Sequence, residues 1–208
     1  APADARRDAR CAKGTRGRSR PGPASLKAMS RQILLHDPVE RFVVGTVGMP
    51  GERTFFLQAR SGTLISSVVL EKTQVATLAD LLEELIADVG QRLQIDVPEA
   101  GPADLDPLEV PLVEEFRVGA IAFGWDPSSD QMLFELHGQT DDDVDPTELG
   151  DDDNGPAVLR VRTTLQQAVD FIARARKVVE AGRPPCPFCQ QPLDPTGHIC
   201  PRANGYRR

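Results

Sequence analysis

The hydrophobic pattern of this chain changes from a strand-like to a helical period at two places, and this limits the folds that it can adopt. Between residues 31 and 71, apolar and β-branched residues occur in short runs separated by turn signals, Gly-Met-Pro-Gly at 48–51 and Ser-Gly at 61–62. From Val75 to Leu93 the apolar residues recur every three or four positions, which is typical of an amphipathic helix. The same succession occurs again between residues 114 and 182. Strand runs followed by helices predict an α+β fold.

The pattern predicts about seven strands and two helices. Short turns join most of the consecutive strands, so we expect an antiparallel sheet with both helices packed on it. We expect Thr73 to be the N-cap of the first helix. The strands are predicted at residues 31–36, 41–47, 53–60, 63–71, 114–124, 131–138 and 157–162, and the helices at 75–93 and 165–181.

The two halves of this region resemble each other. Phe-Val-Val-Gly at 42–45 parallels Phe-Arg-Val-Gly at 116–119, and each run is followed by a turn that contains proline. A threonine precedes an aspartate by seven positions at the start of both helices, at residues 73 and 80 and at residues 163 and 170. We interpret this as a β-β-β-α unit that occurs twice, and chance similarity of two such units is the alternative.

Charge divides the chain into a basic head and an acidic body. Residues 1–28 carry a net charge of +6, which leaves −13 for the rest of a chain whose total is −7. The head lacks hydrophobic periodicity and a signal-peptide core, so we expect it to be disordered and the natural protein to start near Met29. An acidic body repels phosphate backbones, which argues against nucleic-acid binding by the folded region, 29–182. No apolar run approaches the ~20 residues of a spanning helix, so we expect a cytoplasmic protein without a membrane partner.

The C-terminal segment, residues 183–208, contains the strongest chemical signal. Cys186, Cys189, His198 and Cys200 fall within fifteen positions, in the spacing C-x2-C-x8-H-x-C. A Cys-x-x-Cys turn lets two thiolates converge on one ion, and tetrahedral Zn²⁺ prefers four sulfur or nitrogen ligands. Residues two apart on an extended segment point to the same side, so the second pair can close the site. We therefore predict a zinc-knuckle-like appendage with a structural zinc ion.

Other interpretations of the cysteines remain open. Cys186 and Cys189 could form a redox pair, but no βαβ pattern surrounds them. A disulfide would need an oxidising compartment, and the sequence offers no export signal. Unliganded structural cysteines are the third alternative. Zinc is favoured because histidine and three cysteines occur together.

The remaining polar clusters carry weaker signals. The acidic stretch at 141–153 holds eight carboxylates, yet Pro146 replaces the glycine that a calcium loop requires, so we expect a solvated loop. His36 ends an apolar strand and could be either an acid–base group or a hydrogen-bonded structural histidine; we favour the structural role. His137 comes late in a strand and is expected at the surface. No nucleophile motif or phosphate-binding glycine loop is present.

Several segments resemble one family closely. Residues 41–60, Glu-Glu-Phe-Arg-Val-Gly at 114–119, Gly-Trp-Asp at 124–126 and the run from Cys186 to Arg207 are similar to the domain of unknown function 3090 family of actinobacteria. The resemblance extends from about Met29 to Arg208. It implies no activity or catalytic residues, because the family has none established. The resemblance also implies that its members are encoded beside phosphatase-like and kinase-like proteins and share a process with them, so a protein of one of these two kinds is the expected partner.

Two functions are compatible with these observations. The first is a non-catalytic binding or adaptor module that uses the sheet or the zinc-bound tail as its recognition surface. The second is an enzyme, or an enzyme subunit, that acts on a phosphorylated or nucleotide-like metabolite through His36, Arg41, Arg53 and Arg117. We favour the first, because the sequence contains no visible nucleophile or catalytic motif.

Overall fold

A computed structural model describes residues 31–102, 104–140, 155–182, 186–191, 193 and 197–203. The predicted head and the acidic stretch at 141–153 lie outside the described residues. Seven strands and two helices form the body, at bounds close to those expected. They are β1 (Ile33–His36), β2 (Arg41–Val47), β3 (Thr54–Ser61), β4 (Leu64–Leu70), α1 (Lys72–Leu93), β5 (Glu114–Asp126), β6 (Gln131–Gly138), β7 (Val158–Thr163) and α2 (Leu165–Glu180).

All seven strands join one sheet in the order β1-β7-β6-β5-β4-β3-β2. The expected antiparallel sheet is wrong in two places, because β1 pairs with β7 and β4 pairs with β5 in parallel. Between β4 and β5 the chain passes through α1, which returns it to the starting end of β4. A crossover of this kind makes the next strand parallel. The sheet is therefore mixed.

The β-β-β-α order occurs twice along the chain. Strands β2, β3 and β4 pair successively in antiparallel fashion and are followed by α1. Strands β5, β6 and β7 do the same and are followed by α2. The parallel β4–β5 pair joins the two units, so corresponding strands run in the same direction. A common origin of the two units stays a prediction.

The hydrophobic core lies between one face of the sheet and the two helices. Phe42 of β2, Phe134 of β6 and Phe171 of α2 meet there, with ring centroids 4.8 Å apart for Phe42–Phe171 and 4.9 Å for Phe42–Phe134. The strands contribute alternate residues, as their pleat requires. These aromatic contacts tie α2 to both halves of the sheet.

The helices begin differently from each other. Thr164 is the N-cap of α2, and its hydroxyl accepts from the Gln167 N–H. Helix α1 begins before Thr73, with Glu71 as its N-cap, so the predicted cap is wrong. The Glu71 N–H is satisfied by the Gln74 side chain at 2.8 Å, because glutamine at the third helical position can reach back to the cap. No described helix is both long and apolar enough to cross a bilayer.

The segment between α1 and β5, residues 94–102 and 104–113, has no regular secondary structure and contains four prolines. We call it the connector. Arg174 of α2 holds it against β2, donating to the Val44 carbonyl at 2.6 Å and to the Asp104 carboxylate at 3.0 Å. Leu108 covers Gly45, where an added Cβ would approach the leucine Cγ at 2.7 Å. The connector thus passes the outer edge of β2 and covers the sheet face opposite the helices.

Candidate metal centre

The first half of the centre is a tight turn at Cys186–Cys189. The Cys186 N–H donates to the Gln191 carbonyl at 2.7 Å, and the Gln190 N–H donates to the Cys186 carbonyl at 2.9 Å. Gln190 has a φ of 64°, in the left-handed region that glycine adopts most easily. Zinc knuckles often have glycine at this position. The turn therefore adopts this backbone conformation although glutamine is less favourable than glycine at position 190.

The second half returns to the first through Gly197, whose φ of 83° also lies in the left-handed region. His198 and Cys200 follow in a segment without regular secondary structure. The His198 Nε2 lies 3.2 Å from the Cys189 Sγ, and the Cys200 Sγ lies 3.8 Å from the Cys186 Sγ. The predicted pairing of the two halves is thus present.

One ligand atom from each of Cys186, Cys189, His198 and Cys200 lies within 4.8 Å of the other three. Tetrahedral bonds of ~2.1–2.3 Å would separate neighbouring ligands by about 3.7 Å. The Cys186–Cys200 separation of 3.8 Å agrees with this value, and the Cys189–His198 separation of 3.2 Å is about 0.5 Å shorter. The limit of 4.8 Å exceeds it by about 1 Å. The four residues form a cluster that could hold a metal ion.

Backbone N–H groups stabilise negative charge on the sulfurs. The Phe188 N–H lies 3.5 Å from the Cys186 Sγ, and the Ala203 N–H lies 3.4 Å from the Cys200 Sγ. Burial opposes ionisation of Cys186, but hydrogen bonds from backbone N–H groups and from the Cys189 and Cys200 thiols together outweigh it and lower the pKa of this thiol. Burial raises the pKa of Cys189. One thiol of the Cys-x-x-Cys turn is therefore prepared for the thiolate form that a metal requires.

The surface around the cluster is apolar at two points. Phe188 is 61% exposed beside the half-buried Cys189, and Ile199 is 83% exposed beside the buried Cys200. Arg202 links the two halves by donating to the Phe188 carbonyl at 3.0 Å. Sequence reasoning identified the ligands but missed this pair. The sequence does show a large apolar residue beside a candidate ligand in each half, and this pattern could have identified Phe188 and Ile199.

The residues considered for phosphate or proton chemistry do not converge. His36 is buried, with Nδ1 and Nε2 each 3.0 Å from a serine hydroxyl, those of Ser61 and Ser66. His36 is therefore hydrogen-bonded at both ring nitrogens, as the structural interpretation expected. The three arginines have separate partners: Arg41 pairs with Asp104, Arg53 lies over the Phe55 ring and Arg117 pairs with Glu71.

His137 is buried, so its predicted place at the surface is wrong. Its Nδ1 lies 3.4 Å from the Arg31 guanidinium, and its Nε2 lies 3.7 Å from the Glu135 carboxylate. Arg31, in the segment before β1, covers this ring. The alternation of residues along β6 could not predict this contact, because Arg31 is distant in sequence. Burial lowers the pKa of His137, which keeps the ring neutral near pH 7.

Comparison with known proteins assigns the chain to a family without assigning an activity. No curated protein and no solved structure matches it significantly. The model of the family described as "Protein of unknown function (DUF3090)" matches residues 35–200, which include the whole described sheet except its first two residues and all four ligands of the cluster. The chain therefore belongs to the DUF3090 family.

Proposed function

We propose that this protein is a zinc-stabilised binding module that acts as a non-catalytic adaptor for another protein. The observation that carries the proposal is the convergence of Cys186, Cys189, His198 and Cys200 within 4.8 Å. Three sulfurs and one imidazole nitrogen are a donor set that Zn²⁺ prefers, and their two pairs are held by turns on either side.

The donor set supports a structural role for the ion. Four protein ligands fill a tetrahedral zinc site, which leaves no open position for a substrate or a catalytic water. Three thiolates and one Zn²⁺ give a net charge of about −1. The N–H groups of Phe188 and Ala203 offset part of this charge at two sulfurs. Zinc would then supply folding free energy to a segment with little apolar core of its own.

The binding role rests on Phe188 and Ile199. Their side chains are 61% and 83% exposed, and the neighbouring ligands Cys189 and His198 approach within 3.2 Å. A bound ion would hold both apolar side chains in fixed positions, which lowers the entropy cost of docking. Exposed aromatic anchors of this kind contribute strongly to protein interfaces.

Cobalt substitution tests the metal site. Co²⁺ added to metal-free full-length protein should produce the intense visible bands of a tetrahedral cobalt–thiolate centre and saturate at one ion per chain. Zn²⁺ should displace it. Cys189→Ser should weaken the bands, whereas Ser129→Ala, a change in the β5–β6 turn, should not. Pale octahedral spectra from the wild-type protein would contradict the proposed donor set.

Affinity capture tests the binding role. Zinc-loaded protein and the Phe188→Ser variant are compared as baits in an extract of the native host cells. A partner should be retained by wild type and lost with Phe188→Ser. Leu64→Ser provides the matched control, because Leu64 is also an exposed apolar residue but lies in the β3–β4 hairpin. Equal retention by all three baits would contradict a role for the tail.

A further inference from the structure

Strand β5 has an unpaired edge beside α1. Its pairing with β4 is limited to the start of the strand, where Ser67 pairs with Glu114 and Val69 with Arg117. Beyond this point β5 pairs with β6 on one side, and within the described ranges no strand pairs with it on the other. The Gln74 side chain of α1 donates to the Val118 carbonyl at 3.1 Å. Helix α1 therefore contacts the start of this edge at Val118, and from Gly119 onward no described strand pairs with it.

A groove of about 300 Å³ lies between this edge and the helix. One wall consists of alternate residues of β5, and the other consists of residues four apart on α1, so each wall is one face of a regular element. Leu81 on the helical wall is 46% exposed. The walls are Gly119, Ile121 and Phe123 on β5, and Thr73, Thr77 and Leu81 on α1.

The edge lacks the features that prevent strand addition. Residues 118–125 read Val-Gly-Ala-Ile-Ala-Phe-Gly-Trp and contain neither a charge nor a proline. Proteins normally protect an exposed edge with charged residues, proline or a covering segment. The outer edge of β2 has such cover, because Arg174 and the connector lie against it. The β5 edge is thus suited to pairing with an added strand.

Carboxylates lie close to Leu81 on α1. Asp80 and Glu84 are exposed, one position before and three positions after Leu81. Asp80 pairs with Arg176 at 3.4 Å, whereas Glu84 has no ion pair among the described residues. Complementarity with the Glu84 carboxylate favours a ligand that carries lysine or arginine beside its apolar residues. The backbone edge, the apolar groove and this carboxylate together describe a ligand with an extended backbone.

We propose that this groove binds an extended peptide segment of a partner protein, which adds to β5 as a further strand. Apolar side chains at every second position enter the groove, and basic residues flank them. The site is separate from the metal centre and goes beyond the proposed zinc-dependent binding.

Peptide selection tests the proposal. A phage library of random dodecapeptides is selected on the zinc-loaded full-length protein, and the enriched peptides are synthesised. They should show alternating apolar residues with a lysine or arginine nearby. Leu81→Arg should weaken their binding by more than about tenfold, as loss of one apolar anchor implies. Leu93→Arg is the matched control, because Leu93 lies on the same helix, is 48% exposed and does not line the groove.

Backbone methylation tests strand addition itself. Successive N–H groups of a strand point to opposite edges, so N-methylation of one alternate set should abolish binding and methylation of the other should leave it intact. Equal effects of both sets, no enriched peptide, or equal binding to Leu81→Arg would overturn the proposal. Self-association lost in Leu81→Arg would overturn it too and assign the edge to a second copy. The enriched peptides should also bind the metal-free Cys189→Ser variant, which would show that the groove binds them without the zinc site.

Discussion

Arg174 shows how one buried charge can organise a long irregular segment. Its guanidinium lies on the core side of α2 and donates to the Val44 carbonyl, to the Asp106 carbonyl at 2.8 Å and to the carboxylate and carbonyl of Asp104. Burial lowers the pKa of Arg174, and the Asp104 carboxylate opposes that shift. The side chain therefore stays charged and joins α2, β2 and the connector.

Replacing Arg174 by methionine should destabilise the protein by about 2 kcal/mol, because the Val44 carbonyl loses a buried donor, while the partly exposed Asp104 keeps its bonds to Arg41. Urea unfolding followed by circular dichroism measures the change. Arg176→Met on the same helix is the control, since Arg176 makes an exposed ion pair with Glu83 and should cost at most about 1 kcal/mol. Equal losses for the two variants would show that the Arg174 contacts contribute little.

Two buried histidines should make stability depend on pH. Burial lowers the pKa of both His36 and His137, so the unfolded chain binds protons at a higher pH than the folded one. Their contribution is fully present above the ordinary value of about 6.5 and is lost as pH falls below it, toward the lowered folded pKa. The free energy of unfolding should fall between about pH 7 and 5. His36→Asn should make this slope shallower, and an unchanged slope would exclude His36 as its source.

Residue environments were only partly predictable from the sequence. The strand position of His36 indicated a structural histidine, and the serine partners agree with that. The burial of His137 depends on Arg31, which lies more than a hundred residues away in the chain. Arg174 sits beside the apolar stripe of α2, but its acceptors belong to distant segments. Long-range partners leave no local pattern, so these environments could not be inferred.

At the scale of elements, the connector depends on a close approach at Gly45. Gly45→Ala should destabilise the protein by about 1–3 kcal/mol, because the new Cβ would meet Leu108 at 2.7 Å. Adding Leu108→Ala should recover part of the loss, and a double-mutant cycle measured by urea unfolding gives the coupling. Purely additive losses would mean that the two residues do not meet.

The elements themselves were predictable, but two of their pairings were not. Apolar period and turn residues placed every strand and helix within a few positions of its observed bounds. The parallel β4–β5 pair arises because α1 crosses over between the two strands, and the parallel β1–β7 pair joins the first strand of the chain to the last. Hairpin signals report only neighbours in sequence, so they favoured an antiparallel sheet.

At the scale of the whole molecule, the body and the C-terminal segment, which we call the tail (residues 183–208), differ in the residues that they bury. The body contains a continuous core of buried aliphatic and aromatic residues from the sheet and both helices. The tail gathers two buried cysteines, Cys186 and Cys200, around its candidate metal centre. The cysteine and histidine spacing was enough to predict this cluster, because the four residues are close in sequence.

Zinc content of the purified full-length protein tests the central claim most directly. Elemental analysis after exhaustive dialysis should find about one zinc per chain. Cys189→Ser should lower this content, because three remaining ligands bind more weakly, and the body should keep its unfolding transition. Two results would contradict the account. One is wild-type protein that retains no zinc after expression in zinc-supplemented medium, and the other is a Cys189→Ser variant that retains as much zinc as wild type.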